Sequence, residues 1–257
     1  MNWLKQADEP LFPDILWSRP ENRRHAGKLL IIGGHSQSFS AVSEAYAAAR
    51  LAGAGTVRVI VPDKLRPMLS TIFPEAEYGA STDIGSFSRQ AMAEVLDAAD
   101  WADGVLLAGD FGRNSETAVL LENIVSRYKG LLCLAGDSVD NFLSKELRQQ
   151  LATRPDTIVV ADPGHLQKLA LPHLIKQSSD FTKFIEQVSS WAEKTKMGIA
   201  TWHSGKVIAV YQDNLSSTPC NRLNEAELAA YVSVWTMQQA TRPFESLTTA
   251  VYCFINK

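Results

Sequence analysis

Apolar positions in this chain come in short solid runs that alternate with stretches of helical spacing, and the alternation starts at Lys28. Lys28–Ile32 is a β-branched and leucine run that stops at Gly33-Gly34, which reads as a buried strand followed by a sharp turn. An alanine-rich helix over about Ala41–Leu51 follows, then Gly53-Ala54-Gly55 and a second apolar run reaching Pro62. Together they make one βαβ unit. Downstream, the pattern predicts a short helix over Lys64–Phe73, a Gly/Ser-rich segment over Gly79–Ser88 and a surface helix over Phe87–Ala99. Strands are expected at Gly104–Leu107, Leu131–Ala135, Thr157–Ala161 and Ile199–Thr201, with Lys206–Tyr211 as the returning arm of a hairpin. Helices are expected at Glu116–Tyr128 (capped by Asn114 or Ser115), Ser144–Leu151, Phe181–Lys194, Glu225–Ala240 and Pro243–Ile255. Met1–Ala26 has little periodicity but carries Trp3, Pro10, Pro13, Trp17 and Pro20; it reads as an arm packed on its own or a neighbouring subunit, and a homo-oligomer is expected.

Strands alternating with helices at this density imply an α/β fold, a mostly parallel central sheet with helices on both faces. Right-handed crossovers then bring the strand-end loops to one rim, where open α/β sheets bind ligands. Those loops are Gly33–Ser40, Ala108–Ser115, Gly136–Asp140 and Asp162–His165.

Composition narrows the function classes. A net charge of −3 and the lack of a Lys/Arg run argue against nucleic acid and against an anionic membrane surface. No apolar stretch approaches the roughly 20 residues that span a bilayer. Cys133, Cys220 and Cys253 are odd in number and far apart, so neither a disulfide framework nor a zinc site is indicated, and a reduced cytoplasmic protein is expected.

The candidate chemistry lies in the strand-end loops. Gly33 and Gly34 would let backbone approach a ligand, and the helix starting near Ser40 presents its positive end to an anion. His35 and His165 can face the same cleft, and Arg113, next to Gly112, is an anion contact or a solvated side chain at a helix start. Asp110, Asp137, Asp140 and Asp162 either converge on Mg²⁺ or cap turns and helices.

The order of these segments resembles the ADP/ATP-dependent NAD(P)H-hydrate dehydratases, a branch of the ribokinase-like superfamily. The family's G-G-S turn, small-residue helix and G-A-G turn are matched by Gly33-Gly34-His35, Ala45–Ala49 and Gly53-Ala54-Gly55. Its V-I-G-P-G-L-G-R is similar to Leu106–Arg113, and its V-L-D-A-D-A-L-N to Cys133–Asp140. Its P-G-E is similar to Pro163-Gly164-His165, and its P-F-E-A-A-x-x-A-V-Y to Pro243–Ser246 with Ala250-Val251-Tyr252. The resemblance covers nearly all of the chain beyond Arg24. It implies a three-layer ribokinase-like α/β/α domain over 27–257 behind an arm over 1–26. It further implies ADP or ATP with Mg²⁺ as co-substrate, and NAD(P)H or its hydrate as ligand. A nucleotide site would be built from Gly33, Gly34, His35, Ser40, Asp110, Gly112, Arg113, Asp137, Gly164 and His165.

The family's chemistry needs a G-S/T-G-D turn, whose amides hold the transferred phosphoryl group and whose Asp is the base. Aligned through Leu228-Ala229, that turn reads Leu223-Asn224-Glu225-Ala226, with the base position on Ala226 and the glycine positions on Leu223 and Glu225. The family's Lys-Gly falls on Trp202-His203, the first Asp of D-A-D on Ala135, the middle glycine of G-P-G-L-G on Asp110, and the glycine of its Y-T-G-A turn on Ser40. Glu225 and Glu227 flank the lost Asp and either replace it as base or belong to an Asn224-x-x-Glu227 capping box. The sequence therefore reads as a dehydratase-like protein with impaired catalysis that keeps nucleotide or dinucleotide binding. The competing reading is an active dehydratase, or a related small-molecule kinase, with a rebuilt base.

Overall fold

In the computed structural model, which describes residues 2–173 and 180–257, the strands join one sheet. The strands are β1 (Asn2–Lys5), β2 (Lys28–Gly33), β3 (Thr56–Pro62), β4 (Ala76–Gly79), β5 (Gly104–Gly109), β6 (Leu131–Ala135), β7 (Thr157–Val160), β8 (Met197–His203), β9 (Lys206–Tyr211) and β10 (Asn214–Pro219). Their order is β1-β10-β9-β8-β7-β6-β5-β2-β3-β4, with the run from β8 to β4 parallel and β8-β9-β10 an antiparallel meander.

The central strands are buried on both faces, which is why they read as unbroken apolar runs rather than alternating ones. Alternate side chains feed two cores. Leu30 and Ile32 meet the layer of α4 (Met92–Trp101), α5 (Ser115–Arg127), α6 (Lys145–Thr153), α7 (Pro163–Leu169) and α8 (Phe181–Ala192). Leu29 and Ile31 meet the layer of α1 (Pro13–Trp17), α2 (Ser40–Leu51), α3 (Arg66–Ile72), α9 (Glu225–Gln238) and α10 (Pro243–Ile255). The three-layer α/β/α arrangement expected from the sequence is present. Helix α9 is apolar nearly all round and lies buried on the sheet.

Several elements differ from the sequence reading, among them the unpredicted strand β4 and the short helix α1. Residues 1–26 contain a strand, β1, parallel to β10, and the Trp3 indole N–H donates to Ser217 Oγ at 3.0 Å. The partner β10 was not expected either, because its Ser216, Ser217 and Thr218 are polar. They are buried all the same, with their hydroxyls engaged by Thr248, Trp3 and Gln6. The helix expected from Phe87 begins later: Ser88 caps a 3-10 turn over Arg89–Ala91 ahead of α4, and Phe87 is core.

Candidate functional site

At the carboxyl ends of the parallel strands, Ser40, Glu44, Asp110, Gly136, Asp137 and Glu225 line an open cleft of about 320 Å³. Each comes from a turn that the local sequence forces. Gly33 has no room for a Cβ, which would sit 2.5 Å from the Gly109 carbonyl and 2.8 Å from Val42. The Gly34 amide donates to that same carbonyl at 3.0 Å. The glycine pair thus allows the close crossing of the β2 and β5 exits.

Asp110 follows directly, at φ 58°, a left-handed conformation that glycine, or less readily Asp, accepts. It stands where the resemblance has a glycine, so the backbone shape is kept and a carboxylate has been added. That carboxylate accepts from the Ala41 amide at 3.2 Å, while Phe39 at the N-cap of α2 offers no side-chain bond. The helix end expected to meet an anion is therefore capped by the chain itself. Asp137 Oδ1 in turn accepts from the Asp110 amide at 2.9 Å. Burial raises the Asp137 carboxyl above the usual range, partly offset by that bond, with the Asp110 and Asp140 charges adding to the rise.

Glu225 opens α9. Its Oε1 accepts from the Gly136 amide at 3.1 Å, and Gly136 holds φ 56°. Burial, helped by the Asp162 and Asp137 charges and opposed by the Gly136 bond, pushes the Glu225 carboxyl up to about 7. The capping box expected over Asn224–Glu227 is half made. Asn224 Oδ1 accepts from the Glu227 amide at 3.1 Å, but the Glu227 carboxylate turns away to pair with Lys257. Glu227 is a surface ion pair rather than a cleft residue, because the α9 start and the chain end lie side by side. Ala226, the residue after Glu225, is buried.

The other expected residues form separate groups. His35 closes its own turn, with its amide and carbonyl bonded to Ser38 and its Nδ1 accepting from the Gln37 amide at 2.9 Å. Gly112, at φ 67°, lies against the His35 ring, and Arg113 is exposed beside it. Gly164 and His165 are tied to Asp162, whose Oδ1 accepts both amides at 2.6 and 2.9 Å and whose Oδ2 meets His165 Nδ1 at 2.7 Å. Burial raises the Asp162 carboxyl, but those bonds outweigh it and leave it lowered. Asp140 pairs with Lys168 at 2.9 Å. Trp202 packs against the core and His203 stacks on Phe184 at 4.7 Å. Sequence reasoning missed Glu44 and Gly136. Glu44 is one helical turn beyond Ser40 and so shares its face, a spacing that was available to read.

No family model and no curated protein matches this chain. Solved structures do. A ribokinase-like superfamily protein from Enterococcus faecalis V583 is similar over 99% of this chain and 86% of its own, at TM-score 0.76 and 17% identity. The fold is ribokinase-like. The ADP/ATP-dependent NAD(P)H-hydrate dehydratase of Bacillus subtilis, co-crystallized with ATP/Mg2+, is similar over 96% of this chain and 87% of its own, at TM-score 0.67 and 14% identity. Phosphomethylpyrimidine kinase from Clostridium difficile 630 is similar over 90% of this chain and 99% of its own, at TM-score 0.57 and 10% identity.

The ribokinase-like scaffold here carries an acidic cleft. Its lining has four carboxylates and neither Lys nor Arg. All four are bonded within the chain, Asp110, Asp137 and Glu225 to backbone amides and Glu44 to the Asn224 side-chain amide at 2.9 Å. Among the described residues, no group of three or more His, Cys, Asp or Glu side chains is arranged to hold a metal ion. Also among the described residues, no helix is long and apolar enough to cross a membrane.

Proposed function

We propose that this chain is a divergent NAD(P)H-hydrate dehydratase-like protein, impaired in catalysis, that binds a nucleotide or dinucleotide at the strand-end rim. One observation carries the reading. At the start of α9, where the resemblance puts a base and two bare glycines, stand Ala226, with no titratable group, and Glu225, whose carboxylate takes the Gly136 amide at 3.1 Å. Phosphoryl transfer depends on positioned positive charge and free amides. This cleft offers carboxylates instead, and repels the group to be transferred.

The same carboxylates are good acceptors for hydroxyl and amide donors, as acidic residues are for ribose in dinucleotide folds. The reading therefore favours NADH, NADPH or their hydrates, held by riboside hydroxyls and carboxamide at Asp110, Asp137 and Glu225, with the phosphates turned to solvent. The neighbour co-crystallized with ATP/Mg2+ supports ADP or ATP with Mg²⁺ as the alternative ligand. The homo-oligomer remains part of the proposal and is checked by sedimentation.

A second reading is favoured by the Glu225 carboxyl, held at about 7 beside the lost Asp. A general base works best with its pKa near the working pH. In that reading Glu225 takes the proton of the hydrate hydroxyl.

Hydrated NADH with ADP or ATP and Mg²⁺ separates the two. The first reading expects no recovery of the dihydronicotinamide absorbance above the protein-free rate, together with a rise in melting temperature with NADH or NADPH. Turnover on the order of 1 s⁻¹ or more would overturn it in favour of the second.

A further inference from the structure

Helix α2 joins two charged places of opposite sign. Its first turns give Ser40 and Glu44 to the lining of the acidic strand-end cleft. Towards its far end, Tyr46 and Arg50 form a wall shared by two adjoining open grooves of about 710 and 490 Å³, in which Arg19, Arg23 and Arg24 also stand. The carboxylates that line these grooves are Glu21 and Glu75, both exposed. Arg19 is engaged by the Ala52 carbonyl and the Trp235 ring. Among the described residues, Arg23, Arg24 and Arg50 form no ion pair.

The outward face of α2 repeats this polarity about a small residue. Its exposed positions are Ser40, Glu44, Ala47, Arg50 and Leu51, so that Glu44 and Arg50 stand equally far on either side of Ala47. Side chains so spaced on one helix do not meet, and the opposite charges are left unmatched within α2. One Glu44 oxygen accepts from the Asn224 side-chain amide at 2.9 Å, and Arg50 lies over the Tyr46 ring at 5.7 Å. The surroundings are apolar as well as charged. Of the six large apolar side chains that stand exposed among the described residues, Trp17, Leu51, Met68 and Ile72 belong to α1, α2 and α3, so exposed apolar surface is concentrated in this one layer.

We propose that α2 is the centre of a two-fold interface between two copies of this chain, with Ala47 on the axis, Glu44 of each copy paired with Arg50 of the other, and the arginine grooves of each copy set against the acidic cleft of the other. A two-fold contact uses one surface twice, so that surface has to complement itself. Two antiparallel α2 helices meet the condition. Positions equidistant from Ala47 then face each other, unlike charges meet at both ends, and Ser43 faces Leu51. Parallel helices would set Glu44 on Glu44 and Arg50 on Arg50. The small side chain on the axis allows the helix axes to approach to about 8 Å. The pairing also supplies what the cleft lacks: its lining holds neither Lys nor Arg, and Arg50 of the other copy brings a guanidinium to Glu44 on its wall. The interface rests on the homo-oligomer of the proposed function, not on its choice of ligand.

Sedimentation of the full chain and its variants, at low and at high salt, is the test. A dimer that weakens as salt rises supports the proposal. Arg50→Glu sets like charges together twice across the axis and should weaken association about tenfold or more. Adding Glu44→Arg to it exchanges the two signs and should restore association to within about threefold of the unaltered chain. Ala47→Arg puts bulk and like charge on the axis and should abolish the dimer. All three positions are exposed on the helix, and circular dichroism checks that each variant keeps its fold. A monomer at every concentration overturns the interface and the homo-oligomer together, and a monomer that binds tripolyphosphate through Arg23 and Arg50 assigns the grooves to a free anion instead. A dimer that Arg50→Glu and Ala47→Arg leave intact overturns this interface alone. So does a double variant that associates no better than Arg50→Glu.

Discussion

Glu225 Oε1 accepts from the Gly136 amide at 3.1 Å, which ties the first residue of α9 to the turn after β6 across the floor of the cleft. Burial, with Asp162 and Asp137 close by, holds the Glu225 carboxyl at about 7, against 4.5 for a free glutamate. Such a group favours the folded state most when protonated, so the stability it contributes is complete below pH 4.5 and is lost as the pH rises to about 7. The size of the change is about 3 kcal/mol. Glu225→Gln keeps an acceptor for Gly136 and cannot ionise. Chemical denaturation of the two proteins should give a stability difference that grows in the variant's favour from pH 4.5 to 7 and then levels off. A flat difference would mean that solvent reaches this carboxylate.

Asp110 does two things at once: it adopts φ 58° and caps α2 through Ala41. Substitutions can separate the two. Asp110→Gly loses only the cap and should cost about 1 kcal/mol. Asp110→Ala loses the cap and adds a Cβ that strains the left-handed backbone, for a total of about 2–3 kcal/mol. Thermal unfolding should rank Ala below Gly, against the usual order of the two residues. The reverse ranking would show that the turn relaxes to negative φ.

Arg154, only 9% exposed, joins the starts of β6 and β7 by donating to the carbonyls of Tyr128 and Gly130 on one side and of Pro155 and Asp156 on the other. A lysine cannot span those acceptors from a single ammonium. Arg154→Lys should therefore cost about 3 kcal/mol despite keeping the charge, because several buried carbonyls lose their donor. A loss below about 1 kcal/mol in urea denaturation would indicate that water replaces the guanidinium without penalty.

The layered fold could be read from the sequence because strands buried on both faces carry their own signature: Leu29–Ile32, Val105–Leu107 and Leu131–Leu134 are solid apolar runs between glycines and polar turns. The edges could not. Ser216, Ser217 and Thr218 look like loop residues until the hydroxyl partners Thr248, Trp3 and Gln6 arrive from segments more than 30 residues away. In the cleft, Asp110 and Asp137 could be named from their place after strands and Glu225 from its place beside the aligned base position, whereas their partners are backbone amides that no side-chain pattern reveals. His35 and Gly164 sat in equally suggestive turns, and each proved to be engaged by its own neighbours.

The N-terminal segment gives the last prediction. Gln6, 2% exposed, directs its amide N–H groups to Thr218 Oγ1 at 3.0 Å and to the Thr248 carbonyl at 3.2 Å, while its carbonyl accepts from the Leu11 amide at 3.1 Å. One side chain thus joins the end of the edge strand β1, its neighbour β10 and helix α10. Gln6→Ala removes a donor from Thr218 Oγ1 and the Thr248 carbonyl and leaves the part-buried Leu11 amide without its acceptor, and should cost about 2 kcal/mol. Loosening β1 should also speed hydrogen exchange on the β10 side of the sheet, starting with the Gln6 amide that donates to the Ser217 carbonyl at 2.9 Å. Exchange in the central strands β5 and β6 should change only by the global loss. If Gln6→Ala left both stability and edge exchange unchanged, the first strand would not be held on this edge by its glutamine, and the packing of residues 2–8 would rest on Trp3 alone.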